Sequence, residues 1–150
     1  MNNIRTAMHS VLLASVVVLG ACDMMPTTTS GERDLSGSLS AMQEVPPATS
    51  TGTGSVDAHL NPRTNELRWT VTYAALSGPV TAAHFHGPAM AGQNAGVAVP
   101  ITGSLTSPIK GTAMLTTAQA EELMAGKWYV NLHTAANPNG ELRAQVTARR

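Results

Sequence analysis

His84 and His86 stand two residues apart in Thr81-Ala82-Ala83-His84-Phe85-His86-Gly87-Pro88-Ala89, where Gly-Pro ends whatever element carries them. In extended backbone the side chains alternate faces, so both imidazoles point one way while Ala83 and Phe85 point toward a core. A third histidine, His133, lies near the end of Trp128-Tyr129-Val130-Asn131-Leu132-His133-Thr134. It shares a face with Tyr129 and Asn131, while Val130 and Leu132 fill the other. Three neutral imidazoles are a common ligand set for zinc or copper. Each ligating ring needs its second nitrogen held by a carboxylate or a carbonyl. Glu141 is a candidate for that role or for ligation itself, because the turn Ala135–Gly140 returns the chain beside the His133 strand. Glu44 is a further candidate, and Met90 is a soft donor in a loop. The expected metal site is therefore His84, His86, His133 and Glu141, with copper or zinc as the ion. The competing reading makes the same histidines structural, hydrogen-bonded to Glu44, Glu141 and Arg143 and fastening loops to a sheet. His59 shares the outward face of its own strand with Asp57 and is expected to face solvent.

The elements that must position these groups are short strands. Leu35–Ala41 alternates apolar and small polar residues. Met42-Gln43-Glu44-Val45-Pro46-Pro47 ends it, since neither proline can donate to a ladder. Ser55–Leu60 and Glu66–Ala74 flank the turn residues Asn61-Pro62-Arg63-Thr64-Asn65 and predict a hairpin. In the second of these, Leu67, Trp69, Val71 and Tyr73 are expected to face the core. Val80–His86 is the next strand, Val97–Ile101 a short edge, and Lys110–Leu115 a further strand. Thr116-Thr117-Ala118-Gln119 then resembles a capping box and opens one short helix that stops at Gly126. Trp128–Thr134 and Glu141–Ala148 form the last hairpin around Asn137-Pro138-Asn139-Gly140. Strands this short, with Gly/Pro turns between them, predict an all-β sandwich or barrel.

The first residues belong to a different kind of segment. Arg5 precedes the apolar run Val11–Leu19, which is shorter than the roughly 20 residues a membrane-spanning helix needs. The run ends in Leu19-Gly20-Ala21-Cys22, which resembles a bacterial lipoprotein box. Residues 1–21 are read as a lipoprotein signal peptide and Cys22 as the lipidated residue. Cys22 is the chain's one cysteine, so it has no internal partner, and acylation accounts for an exported unpaired thiol. Several acyl chains suffice for stable anchoring. Residues 22–34 are small, polar and aperiodic, as a tether is, and residues 35–148 make one domain. The expectation is an exported, lipid-anchored protein of the cell envelope.

Composition narrows the function. Nine acidic and nine basic side chains balance, and no basic run suggests nucleic acid. No Gly-x-Ser-x-Gly elbow occurs, no glycine-rich phosphate loop precedes a helix, and no free cysteine remains for nucleophilic chemistry.

Four stretches taken together resemble the CHRD domain family: Leu35-Ser36-Gly37 leading to Gln43-Glu44-Val45-Pro46-Pro47, Ala82–Ala89, Tyr129–Thr134, and Gly140-Glu141-Leu142-Arg143-Ala144-Gln145. Ala144 stands where the family usually has glycine. The resemblance implies an immunoglobulin-like or related antiparallel β-sandwich outside the cytoplasm, and little about activity. The His-x-His strand facing another strand histidine also resembles the copper side of Cu/Zn superoxide dismutases, without their disulfide or long zinc loop. Three functions follow as alternatives: a binding module for copper or zinc, a copper oxidoreductase of the superoxide-dismutating kind, or a protein-interaction module with structural histidines.

Overall fold

A computed structural model describes residues 31–149. The Leu19–Cys22 motif, and with it the expected lipidation site and signal peptide, lie outside the described residues. Eight strands and one helix follow in chain order: β1 Arg33–Ser40, β2 Thr53–Asn61, β3 Glu66–Ala74, β4 Val80–His86, β5 Val97–Pro100, β6 Ile109–Met114, α1 Thr117–Met124, β7 Trp128–Thr134 and β8 Leu142–Ala148. The fold is all-β with one short helix, as the strand spacing predicted.

The strands form one antiparallel sheet in the order β5-β4-β7-β8-β1-β2-β3-β6. The two halves of the sandwich are thus one sheet doubled over into a nearly closed barrel. The fold line is the β8–β1 junction, which pairs at its ends, through Leu35↔Ala148, Ser36↔Thr147 and Ser40↔Arg143. Gly37 lies between those pairs, so close to its neighbour that an added Cβ would meet the Gln145 carbonyl oxygen at 2.4 Å. Doubling over brings β3 onto β4, from opposite ends of the sheet. The Trp69 and Phe85 rings pack edge-on with centroids 5.1 Å apart.

Alternation sets what fills the interior. Leu67, Trp69 and Val71 of β3 are buried, as are Ala83 and Phe85 of β4 and Val130 and Leu132 of β7. Tyr73, expected to face inward with them, is half-buried at the rim, its hydroxyl donating to the Leu105 carbonyl at 2.8 Å. Both tryptophans lie over glycine. A Cβ on Gly111 would come within 2.5 Å of the Trp69 ring, and one on Gly87 within 2.3 Å of Trp128.

The local signals hold. Asn61 Oδ1 accepts from the Arg63 and Thr64 amides at 3.0 and 3.3 Å. Thr116 caps α1 in a capping box with Gln119, and Gly126 ends the turn after it at φ +70°. Ala120 and Leu123 bury the inner side of the helix. β1 begins two residues earlier than the apolar alternation indicated, because Arg33 and Asp34 pair with Leu60 and His59. The segment after β1 turns through a short 3-10 stretch, Ala41–Gln43, and lies against β8, where the Gln145 amide donates to Gln43 Oε1 at 3.3 Å.

Candidate metal centre

β4 and β7 are neighbours, in a register that sets Ala82 opposite His133, His84 opposite Asn131 and His86 opposite Tyr129. β8 continues the rows, with Arg143 opposite Asn131 and Gln145 opposite Tyr129. The sheet face turned away from the hydrophobic core therefore carries His84, His86, Tyr129, Asn131, His133, Arg143 and Gln145. This face is covered at Tyr129, Asn131 and Arg143 and half-buried at His84 and His133. Arg143 is 1% exposed and Asn131 4%, because loops close over them. Arg143 donates to the Gln93 carbonyl and to Asn94 Oδ1. Gln145 Nε2 donates to the Ala89 and Gly126 carbonyls at 2.9 and 2.7 Å. The molecule thus has a second, polar interior under its loops.

In that layer the three histidines meet. One nitrogen from each of His84, His86 and His133 lies within 4.8 Å of the other two. His84 Nδ1 is 3.1 Å from His133 Nε2. His133 Nε2 and His86 Nε2 each stand 3.0 Å from Asn131 Oδ1. The outer nitrogens of His86 and His133 are held as ligating rings require: His86 Nδ1–H donates to the Ala95 carbonyl at 3.0 Å and His133 Nδ1–H to the Pro138 carbonyl at 2.9 Å. In a neutral ring whose Nδ1 carries the proton, Nε2 presents a lone pair. The His86 ring also stacks on Tyr129, centroids 4.7 Å apart and planes 3° from parallel. Tyr129 in turn has the Arg143 guanidinium 3.4 Å from its ring centroid.

Electrostatics favour the neutral form of His84 and His133. Burial lowers the pKa of His84, and the neighbouring His133 and His86 lower it further. Burial also lowers that of His133, against the opposing pull of the Pro138 carbonyl. Neutral imidazole is the ligating form.

Glu141 does not join the histidines. It is fully buried on the other side of β7, where the Ser50, Ser77 and Thr134 hydroxyls and the Ser77 amide donate to its carboxylate at 2.5–2.8 Å. Burial alone would raise its pKa, but those donors overcome it and hold the carboxyl at about 2. The reason for its placement is alternation. Glu141 follows the side of Thr134, and His133, one residue earlier, opens on the opposite face.

Glu44 comes nearer the histidine layer. It is 6% exposed, and burial pushes its carboxyl up to about 7 against the opposing effects of Arg143 and of a hydrogen bond with Asn131. Its Oε1 has no hydrogen-bond partner. Gly140, at φ +129°, leaves it room, since a Cβ there would come within 2.3 Å of that oxygen. His59 lies apart on the outer face, 2.7 Å from Asp34, and Met90 is exposed. The polar contacts of the three rings run to one another, to Asn131 and to the Ala95 and Pro138 carbonyls rather than to Glu44, Glu141 or Arg143. Asn131 is the residue that sequence reasoning placed on the right face without assigning it a part. Its signal was its position between Tyr129 and His133 in the same alternation.

No curated protein and no solved structure matches the chain. The model of the CHRD domain matches residues 35–146, three-quarters of the sequence and all but the outer ends of the β-structure just described, and the chain accordingly belongs to the CHRD domain family.

Proposed function

We propose that this domain is a metal-binding module of the cell envelope, tethered through lipid at Cys22, that holds copper or zinc on His84, His86 and His133. One observation carries the metal reading. Three ring nitrogens from two adjacent strands converge, and the outer nitrogens of His86 and His133 are each committed to a backbone carbonyl. At bond lengths of 2.0–2.1 Å, ligand atoms stand about 2.9 Å apart at a right angle and about 3.4 Å apart at the tetrahedral angle. The 3.1 Å between His84 Nδ1 and His133 Nε2 lies in that range. Metal analysis of protein purified without an affinity tag tests the proposal. The expected result is one copper or zinc per chain, lost on replacing His84, His86 and His133 together by alanine. Metal-free protein that takes up neither ion on dialysis would return the histidines to a structural role.

A further inference from the structure

We infer that Asn131 is the fourth ligand, through Oδ1, so that the centre is a closed three-nitrogen, one-oxygen site that retains its ion and leaves no position for a substrate. The inference rests on the three-histidine reading and deepens it by assigning the remaining coordination position.

The amide oxygen already occupies a ligand's place. It is 3.0 Å from both His86 Nε2 and His133 Nε2, within the separation expected of adjacent ligand atoms on one ion. The contacts also lack hydrogens. Both Nδ1 atoms carry their protons to carbonyls, so each neutral ring turns a lone pair toward the amide oxygen, which has only lone pairs to return. The amide oxygen and the two Nε2 lone pairs it faces repel, and a cation at their centre converts that repulsion into coordination. Turning the amide over would relieve it by presenting the nitrogen instead. In the structure the oxygen, not the nitrogen, is turned toward both rings. Asn131 is buried in mid-strand opposite His84, so the oxygen is placed by the sheet and not by a loop.

The donor set names the class of ion. Three imidazoles and a neutral amide oxygen suit a borderline divalent cation, zinc or copper(II). They lack the thiolate or thioether that copper(I) prefers. With the fourth position filled from the protein, the centre resembles closed structural sites more than catalytic ones, which keep a position for water or substrate.

Cobalt(II), a coloured stand-in for zinc, tests this in the full domain. The wild-type cobalt protein should show visible absorption that added azide leaves unchanged. Asn131→Ala opens the position, so azide should shift its spectrum, and cobalt should bind about tenfold or more weakly. Asn131→Asp keeps an oxygen there and should remain insensitive to azide. An azide response in the wild-type protein overturns the fourth-ligand assignment while leaving the three histidines standing, and it needs no variant to fold. Failure of the wild type to take up cobalt, zinc or copper removes the three-histidine reading and this inference with it.

Discussion

The Thr134 hydroxyl donates to the Glu141 carboxylate at 2.6 Å on one side of β7, while His133, the preceding residue, meets His84 at 3.1 Å on the other. One strand thus separates two polar clusters of opposite character. The Glu141 cluster is an anion saturated with donors. The histidine cluster is a set of converging acceptors. The first holds a charge in place, and the second is the one proposed above to receive an ion.

Glu141→Gln should therefore lower stability without changing metal affinity. The folded-state carboxyl is held at about 2, below its ordinary 4.5. A depressed carboxyl stabilises the fold above the unfolded-state pKa and loses that contribution as pH falls. The contribution is on the order of 3 kcal/mol at neutral pH. Urea unfolding should show the difference between wild type and variant at pH 7 shrinking between about pH 4.5 and 2. A variant that binds zinc less tightly would instead connect Glu141 to the metal centre.

Copper or zinc should raise the melting temperature, since a ligand that binds only the folded state stabilises it. An ion at 100 times its Kd adds about 2.7 kcal/mol, a rise on the order of 10 °C. Replacing His84, His86 or His133 singly by alanine should remove most of the rise, and His59→Ala should keep it. Because His84 and His133 have pKa values lowered from 6.5, they stay neutral in mildly acidic solution. Metal-induced stabilisation measured by calorimetry should persist below pH 6.5 and fade further into acid. Loss of stabilisation already at pH 7 would mean that the rings are not the ligands.

Glu44→Gln should stabilise the metal-free domain above pH 7. The carboxyl is raised to about 7, so ionising it opposes folding as pH rises from 4.5 through 7. The expected gain at pH 8 is about 1–3 kcal/mol, vanishing below about pH 4.5, where both folded and unfolded carboxyls are protonated. A loss of stability at pH 8 would mean that the pairing with Arg143 outweighs burial.

Trp69→Ala should cost about 3–5 kcal/mol, as removal of a buried aromatic does. Gly111→Ala should also destabilise, because its Cβ would come within 2.5 Å of the same ring. The first variant tests the inward face of β3 and the second its packing beneath β6. Chemical denaturation reads both, and a change below about 0.5 kcal/mol in Trp69→Ala would place that face in solvent.

Cys22→Ala should release the full-length protein from membranes into the aqueous phase of a detergent partition, if lipid at Cys22 is the anchor. Retention in the detergent phase would end the lipid-anchor proposal.

The strands were legible because a period of two is a local property. Glu66–Ala74, Val80–His86 and Trp128–Thr134 were bounded from their alternation and their flanking turns alone, and the capping box announced α1 from four residues. The same alternation put His84 with His86, and His133 with Asn131. It could not say that β7 lies between β4 and β8, because strand order is set by which apolar faces close over one another across long stretches of chain. That order, by making β4 and β7 neighbours, brings the histidines together.

Glu141 shows the limit from the other side. A short turn guarantees that it returns near His133, and nearness in sequence suggested a shared site. Which side of the strand it enters depends on how the turn leaves β7, and the donors of Ser50 and Ser77, far away in sequence, hold it there. Asn131 shows the reverse: an amide indistinguishable by composition from any strand polar residue stands out only when two imidazoles meet its oxygen. The sequence by itself determined the elements, the inward faces and the histidine chemistry, all carried by residues a few positions apart. The tertiary structure decided which faces meet and which carboxylate is excluded, because those outcomes depend on contacts that no local pattern encodes.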